Sequence, residues 1–208
     1  MNFADAKTTL ADFIGGNAVR FNDSTRGLLI NLARRELSRL HDLRFNEVSD
    51  TFVTVAGTRG YALPTGWSRP HTLWYVHPEN AGTVTLDYQS KEAFDLLFPD
   101  ATQTALPTHY TVWAGQLQLG KTPDRVVTIN RNFYRILADL TGTQIDDLMD
   151  QAWEVVHFKA LVEASRYLVE DPRALTWKEK ATELENQLVI EHARGRSAGR
   201  RAESQEPG

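Results

Sequence analysis

The 208 residues include no cysteine and only two methionines. Without a thiol, disulfides, thiolate metal ligands and cysteine nucleophiles are excluded. No stretch approaches the roughly 20 apolar residues that a helix needs to span a bilayer. The first residues, Met1 to Phe13, carry Asp5 and Asp12 and no apolar block, so they do not read as a signal peptide. The six histidines (His41, His71, His77, His109, His157 and His192) show neither an HExxH pattern nor i, i+4 spacing, and no metal site is expected. His71 and His77 could meet across a loop, but scattered structural histidines are the expectation. No G-x-S-x-G elbow or other nucleophile pattern occurs, so neither catalytic residues nor a cofactor is expected. Lys and Arg number 23 against 27 acids, a net charge of −4. That balance argues against a chain that coats nucleic acid with its whole surface, while leaving room for local basic patches.

Apolar residues make up 41% and charged residues 24%, as in an ordinary globular protein with one sizeable core or two small ones. The chain falls into three stretches. In the first, Phe3, Ala6, Leu10, Phe13 and Ile14 recur at helical spacing until Gly15-Gly16. Asn22, Asp23 and Ser24 offer N-caps for a second helix to about Leu43. Asn22-Asp23-Ser24 also matches a glycosylation sequon, but without a secretion signal no glycosylation is expected there. The apolar stripe of that helix is Leu28, Leu29, Leu32, Ala33, Leu37 and Leu40, with Arg26, Arg34, Arg35 and Arg39 mostly off it.

From about Phe45 to Leu137 the period changes to two. A strand at Phe52–Val55 leads through Gly57-Thr58-Arg59-Gly60 to a second at Tyr61–Leu63. Thr72–His77 and Thr83–Tyr88 read as the arms of a hairpin around Pro78–Gly82. Ser90 can cap a short helix, Lys91–Leu97, and strands follow near Tyr110–Trp113, Gln116–Leu119 and Val126–Tyr134. The third stretch is helical again, from Ile145 to about Val169 and, after Asp171-Pro172, to about Ala193. The expected fold is α+β, with a helical bundle built from both termini (1–44 and 138–194) and an inserted small antiparallel β-sandwich or barrel (45–137). Residues 195–208, rich in Arg, Ser, Gly and Glu, read as a flexible C-terminal tail.

Gly115-Gln116-Leu117-Gln118-Leu119-Gly120-Lys121-Thr122 matches the phosphate-loop pattern G-x-x-x-x-G-K-[ST]. A working phosphate loop needs a helix to begin at the Lys-Thr. Here Gln116–Leu119 alternate as a strand does, Pro123-Asp124 follows as a turn, and Val126–Ile129 has strand composition. A hairpin is the expectation, and a nucleotide-binding enzyme using Lys121 the remote alternative. Asp146, Asp147 and Asp150 cluster where the third-stretch helix begins, and favouring the helix dipole explains them without acid–base catalysis. The dense aromatics Trp67, Trp74, Tyr75, Tyr88, Tyr110, Trp113, Phe133 and Tyr134 have little basic interleaving, so packing is expected over nucleic-acid stacking. Gln144 to Ala193 holds 11 acids against 5 Lys and Arg. Arg194, Arg196, Arg200 and Arg201 follow, a cluster that could order on an acidic partner, touch phosphate, or remain a solvated end.

The order of these pieces resembles the head-to-tail adaptor (tail tubular or connector) proteins of tailed bacteriophages. Phe52-Val53-Thr54-Val55-Ala56-Gly57 followed by Tyr61-Ala62-Leu63-Pro64 is similar to that family's first hairpin. Leu86-Asp87-Tyr88 and Ala93-Phe94 with Pro99 resemble the next strand and short helix. Pro107-Thr108-His109-Tyr110 with Gly115–Leu119 and Pro123-Asp124 resembles a later hairpin, and Asn132-Phe133-Tyr134 before Leu137 and Leu140 the exit to the last helices. The likeness covers about residues 20 to 193, with Gly120-Lys121-Thr122 standing where the family usually has Pro or Gln.

The resemblance implies a non-enzymatic virion protein, assembled in the bacterial cytoplasm, that forms a dodecameric ring between the phage portal protein and a tail nozzle or tail tube protein. The genomic DNA would pass through its lumen, and no membrane is involved. Family members often lay their C-terminal segment on the portal, which makes Arg194, Arg196, Arg200 and Arg201 candidate portal-binding residues. The alternative is another tail-completion or capsid-associated assembly protein on the same plan.

Overall fold

The computed structural model describes residues 1–15, 21–166 and 172–203, with side chains through residue 194. The chain divides into two compact units, Met1–Asn46 with Ile136–Gly208, and Glu47–Arg135. Among the described residues the first unit holds five α-helices, α1 (Phe3–Ile14), α2 (Asp23–Leu40), α4 (Asp147–Gln151), α5 (Trp153–Ser165) and α6 (Ala174–Glu203), and a short 3-10 turn at Arg44–Asn46. The second holds seven strands and one short helix, α3 (Lys91–Leu97).

Local chemistry sets the helix starts. Asn2 accepts a hydrogen bond from the Asp5 amide, Asn22 from Thr25, Ser90 from Ala93 and Asp146 from Met149. Each such cap satisfies an otherwise orphaned amide and stabilises its helix by about 1 kcal/mol. One apolar core gathers Phe3, Leu10 and Ile14 of α1, Ile30, Ala33 and Leu37 of α2, and Leu148, Val156, Leu161, Trp177 and Leu188 of the later helices. Helix α5 packs against α1, α2 and α6.

The third stretch is not one helix. Ala152 (φ −137°, ψ 33°) ends α4 and precedes α5. The sequence period does not register this break, because Leu148, Met149, Val155 and Val156 on either side of it enter the same core. The stretch expected as a tail from residue 195 continues α6 as helix through Glu203. Arg, Ala and Glu favour helix there, and Gly195 and Gly199 each oppose it by only about 1 kcal/mol.

The second unit is a single seven-stranded sheet, made of β1 (Glu47–Val53), β2 (Gly60–Ala62), β3 (Trp67–Val76), β4 (Thr83–Tyr88), β5 (His109–Trp113), β6 (Gln116–Leu119) and β7 (Thr128–Arg135). Their order across the sheet is β1-β7-β3-β4-β5-β6-β2. This corrects the expected antiparallel sandwich or barrel: one curled sheet forms, and β4 and β5 pair in parallel. A parallel pair needs a long crossover, and the segment carrying α3 supplies it. Pairing of β1 with β7 and of β2 with β6 also replaces the expected first hairpin. The two strands occupy opposite edges, and the curl brings those edges together. The rings of Phe52 and Tyr61 lie 4.9 Å apart, and the Tyr61 hydroxyl donates to the Thr58 carbonyl at 2.8 Å and accepts from the Val55 amide at 3.0 Å.

Strand β3 is longer than its alternation suggests and contains Pro70. Its pairing with β4 covers only Leu73–Val76, so the missing Pro70 amide costs no ladder bond on that side, and the register with β7 shifts there. Leu73, Tyr75, Leu86, Tyr110, Leu117, Leu119, Val127 and Ile129 form the core of this unit.

Candidate functional site

The phosphate-loop pattern resolves into a hairpin. Ala114 and Gly115 turn between β5 and β6 with positive φ (50° and 73°), the primed geometry in which glycine is at ease. Gln116–Leu119 form β6, and Thr122 donates its hydroxyl to the Ala101 carbonyl at 2.6 Å. A Cβ on Gly120 would lie 2.8 Å from the Phe98 ring. Both glycines are therefore explained by backbone turn and ring packing, and no helix begins at Lys121 to direct amides at a phosphate. This bears out the hairpin expected at Gly115–Thr122.

Asp146 acts at the start of α4 as its cap, but it also closes an ion pair that sequence spacing does not reveal. Arg34, 1% exposed, pairs with Asp146 and donates to Asn31 Oδ1 at 2.7 Å and to the Ala138 carbonyl at 3.1 Å. Asn31 in turn holds both the amide and the carbonyl of Leu140, at 3.0 and 3.1 Å. Ser38 accepts from the Leu137 amide at 3.1 Å. Asn31, Arg34 and Ser38 thus form a polar seam on α2 that fixes the segment 137–146. Asp147 and Asp150 lie in the first turn of α4, as the dipole argument expects.

A second buried cation, Lys159 of α5, bridges Glu185 of α6 at 2.8 Å and Glu36 of α2 at 3.0 Å. Burial opposes its charge, but the two carboxylates outweigh that and hold its pKa above the usual lysine value. Glu185 also lies 2.6 Å from His41 Nε2. Burial pushes the Glu185 carboxyl up, while Lys159 and His41 pull it further down, so its pKa stays below the ordinary value. His157 differs from all of these. It is 4% exposed, neither ring nitrogen has a partner, and the rings of Phe13, Trp153 and Phe158 surround it. Burial lowers its pKa to about 4. A neutral imidazole with no partner is a packing group and not a proton-transfer group.

His71 stacks edge-on to Tyr134, while His77 accepts from the Glu79 amide at 3.2 Å in the β3–β4 turn. Among the described residues no group of three His, Asp or Glu could hold a metal ion. No described helix is long and apolar enough to cross a membrane. Of the dense aromatics, Tyr75, Tyr110, Phe133 and Tyr134 are buried, and Trp67 stacks on Phe133 at 4.9 Å. Tyr88 and Trp113 are exposed. Arg194 is exposed on α6; Arg196, Arg200 and Arg201 belong to the same helix, and their side chains lie outside the described ones.

Two surface features complete the helical unit. On α2, Leu28, Leu32 and Leu40 are 52%, 39% and 59% exposed, and the last two line a groove of about 400 Å³ with Arg35, Glu36, Arg39 and Glu163. A separate groove of about 410 Å³ lies between the α4–α5 junction and α6. Met1, Trp153 and Leu184 give it an apolar floor, its charged side chains, Asp150, Glu154 and Glu191, are all acids, and the Met1 ammonium donates to the Met149 carbonyl at 3.3 Å.

The polar groups that the fold brings together staple helices and strands. The SU10 adaptor protein family model matches residues 1–204, and the chain belongs to that family of phage head-to-tail adaptors. This bears out the resemblance read from the sequence and makes the chain a phage adaptor, a component of virion assembly. No curated protein matches the chain.

Proposed function

We propose that the chain forms a non-enzymatic ring, dodecameric in the complete virion, that joins the phage portal to a tail nozzle or tail tube protein and encloses the path of the genomic DNA. The observation that carries this reading is the adaptor-family match across residues 1–204, nearly the whole chain. The fold agrees with it. The helices from both ends of the chain share one core and would serve as a bundle against the portal. The sheet unit, 47–135, would meet neighbouring copies and the tail. The 11 acids against 5 Lys and Arg in 144–193 favour a wall that repels phosphate and lets DNA slide.

Arg194, Arg196, Arg200 and Arg201 would then engage an acidic surface of the portal. Sedimentation of the chain with its cognate portal tests both parts. The portal should gain the mass of a ring of adaptors, and replacing the four arginines with glutamate should weaken that gain at least about tenfold. A portal that sediments alone at every adaptor concentration removes the reading, and an unchanged affinity in the charge-reversed variant removes the arginines from it.

A further inference from the structure

We infer that, beside the contacts proposed for the sheet unit, α2 carries an adhesive face through which one copy of this chain holds the next, and that the acid-rimmed groove beside α6 receives it. The inference deepens the ring reading and rests on it for the requirement that the contact repeat from copy to copy.

The face is defined by spacing. Leu28, Leu32, Arg35 and Arg39 follow one another at intervals of four, three and four residues, which aligns them on one side of a helix. The opposite side, including Ile30, Ala33, Arg34 and Leu37, is buried in the core. That side carries the packing of α2 among the described residues, while Leu28 and Leu32 of the row remain open to solvent at 52% and 39%, and Leu40, about 80° round the helix from Leu32, at 59%. Single exposed leucines are ordinary on a surface, whereas Leu28 and Leu32, one turn apart on the same side, make a contiguous apolar patch of the kind another protein covers. Arg39 makes no ion pair among the described residues, and Arg35 has only the exposed Asp139, at 3.5 Å. The row is thus apolar with a cationic end, and it extends for about 16 Å at the helical rise.

The receiving groove has the complementary composition. Met1, Trp153 and Leu184 provide apolar surface, Gln187 is a neutral polar wall, and Asp150, Glu154 and Glu191 supply the charge. None of those three acids is ion-paired among the described residues. An Arg-bearing leucine row set into this groove covers apolar surface and gives the acids partners, so the occupant that fits is a second copy of α2.

The two surfaces share no residue, so each copy can give with one and receive with the other. Contacts between two different patches are heterologous, and such contacts propagate into a ring when the rotation between copies closes. A symmetric dimer through α2, by contrast, would need the row to complement itself and would leave the acids of the groove without partners.

The chain's freedom from cysteine makes the test direct, since any introduced thiol is the only one present. Leu32→Cys is made in one preparation and Gln187→Cys in another, and each is treated with a short bismaleimide alone, mixed, and with or without portal. The inference expects dimers in the mixture at a rate about a hundredfold above either variant alone, because docking raises the local thiol concentration to the millimolar range. The doubly substituted chain should give a ladder of oligomers, and Arg35→Glu with Arg39→Glu should abolish it.

Cross-linking of Leu32→Cys to itself, or no cross-linking in the mixture, overturns the inference. A ring visible on the portal without the mixed product leaves the ring reading standing and removes this interface. The mixed product without any portal complex does the reverse. Neither product nor complex removes both.

Discussion

Arg131 of β7 and Asp50 of β1 meet as direct cross-strand partners, with Nε donating to Oδ1 and Nη2 to Oδ2, both at 2.7 Å. The guanidinium, 6% exposed, also lies over Phe52 at 5.1 Å and near the Phe133 and Trp67 rings at 5.8 and 5.9 Å. This pair holds an edge strand to the sheet at its most aromatic place. Two-pronged geometry and planar stacking are what Arg supplies and Lys cannot.

Loss of one partner is therefore expected to cost more than loss of both. Asp50→Ala leaves a buried guanidinium without its carboxylate and should destabilise the sheet unit by about 2–3 kcal/mol, toward the lower end for a buried pair because Asp50 is partly exposed. Adding Arg131→Met should cost less than the sum of the two single changes. Urea unfolding followed by near-ultraviolet circular dichroism, which reports the aromatic cluster, measures the coupling. Strict additivity would show that the pair is idle.

His157 predicts an acid-sensitive helical core. The unfolded ring titrates near its ordinary value of 6.5 and the folded one near 4, so the unfolded chain binds more protons between those values. Stability from this group is complete above pH 6.5, falls as the pH drops, and levels off below about 4. The full effect is up to roughly 3 kcal/mol. His157→Leu should flatten the slope of urea stability against pH between 4 and 6.5, relative to the native chain. An unchanged slope would mean that the carboxylates alone set the acid response.

Around the false phosphate loop the two neighbouring substitutions should rank in the order that packing dictates. Gly120→Ala places a methyl group 2.8 Å from the Phe98 ring and should destabilise by about 1–3 kcal/mol. Lys121→Ala should change stability by less than about 0.5 kcal/mol. Thermal unfolding compares them, with ATP or GTP as a control ligand. A nucleotide-dependent rise in melting temperature that Lys121→Ala removes would restore the nucleotide reading.

What was legible in the sequence was local. Asn22 and Ser90 announce their helices because a cap acts within three residues, and the β3–β4 hairpin is visible because alternation and the Pro78–Gly82 turn adjoin. The hairpin nature of Gly115–Thr122 was legible for the same reason. Pairing between distant segments was not. β1 and β2 are neighbours in the chain and resemble a hairpin in the adaptor likeness, yet they take opposite edges, β1 beside β7 and β2 beside β6. The Arg34–Asp146, Lys159–Glu185 and Arg131–Asp50 pairs also left no signal, since a charged residue on a helix or strand reads as solvent-facing until its partner is placed. The candidate arginines of 194–201 were found by composition alone, and their side chains beyond Arg194 lie outside the described ones.

The central claim is that this chain builds a ring on a portal. Electron microscopy of the purified chain mixed with its cognate portal tests it most directly. The account predicts a second ring, coaxial with the portal and stacked beneath it, with rotational symmetry matching one chain per portal subunit. Bare portal rings beside free, unassembled chains at saturating concentration would contradict it.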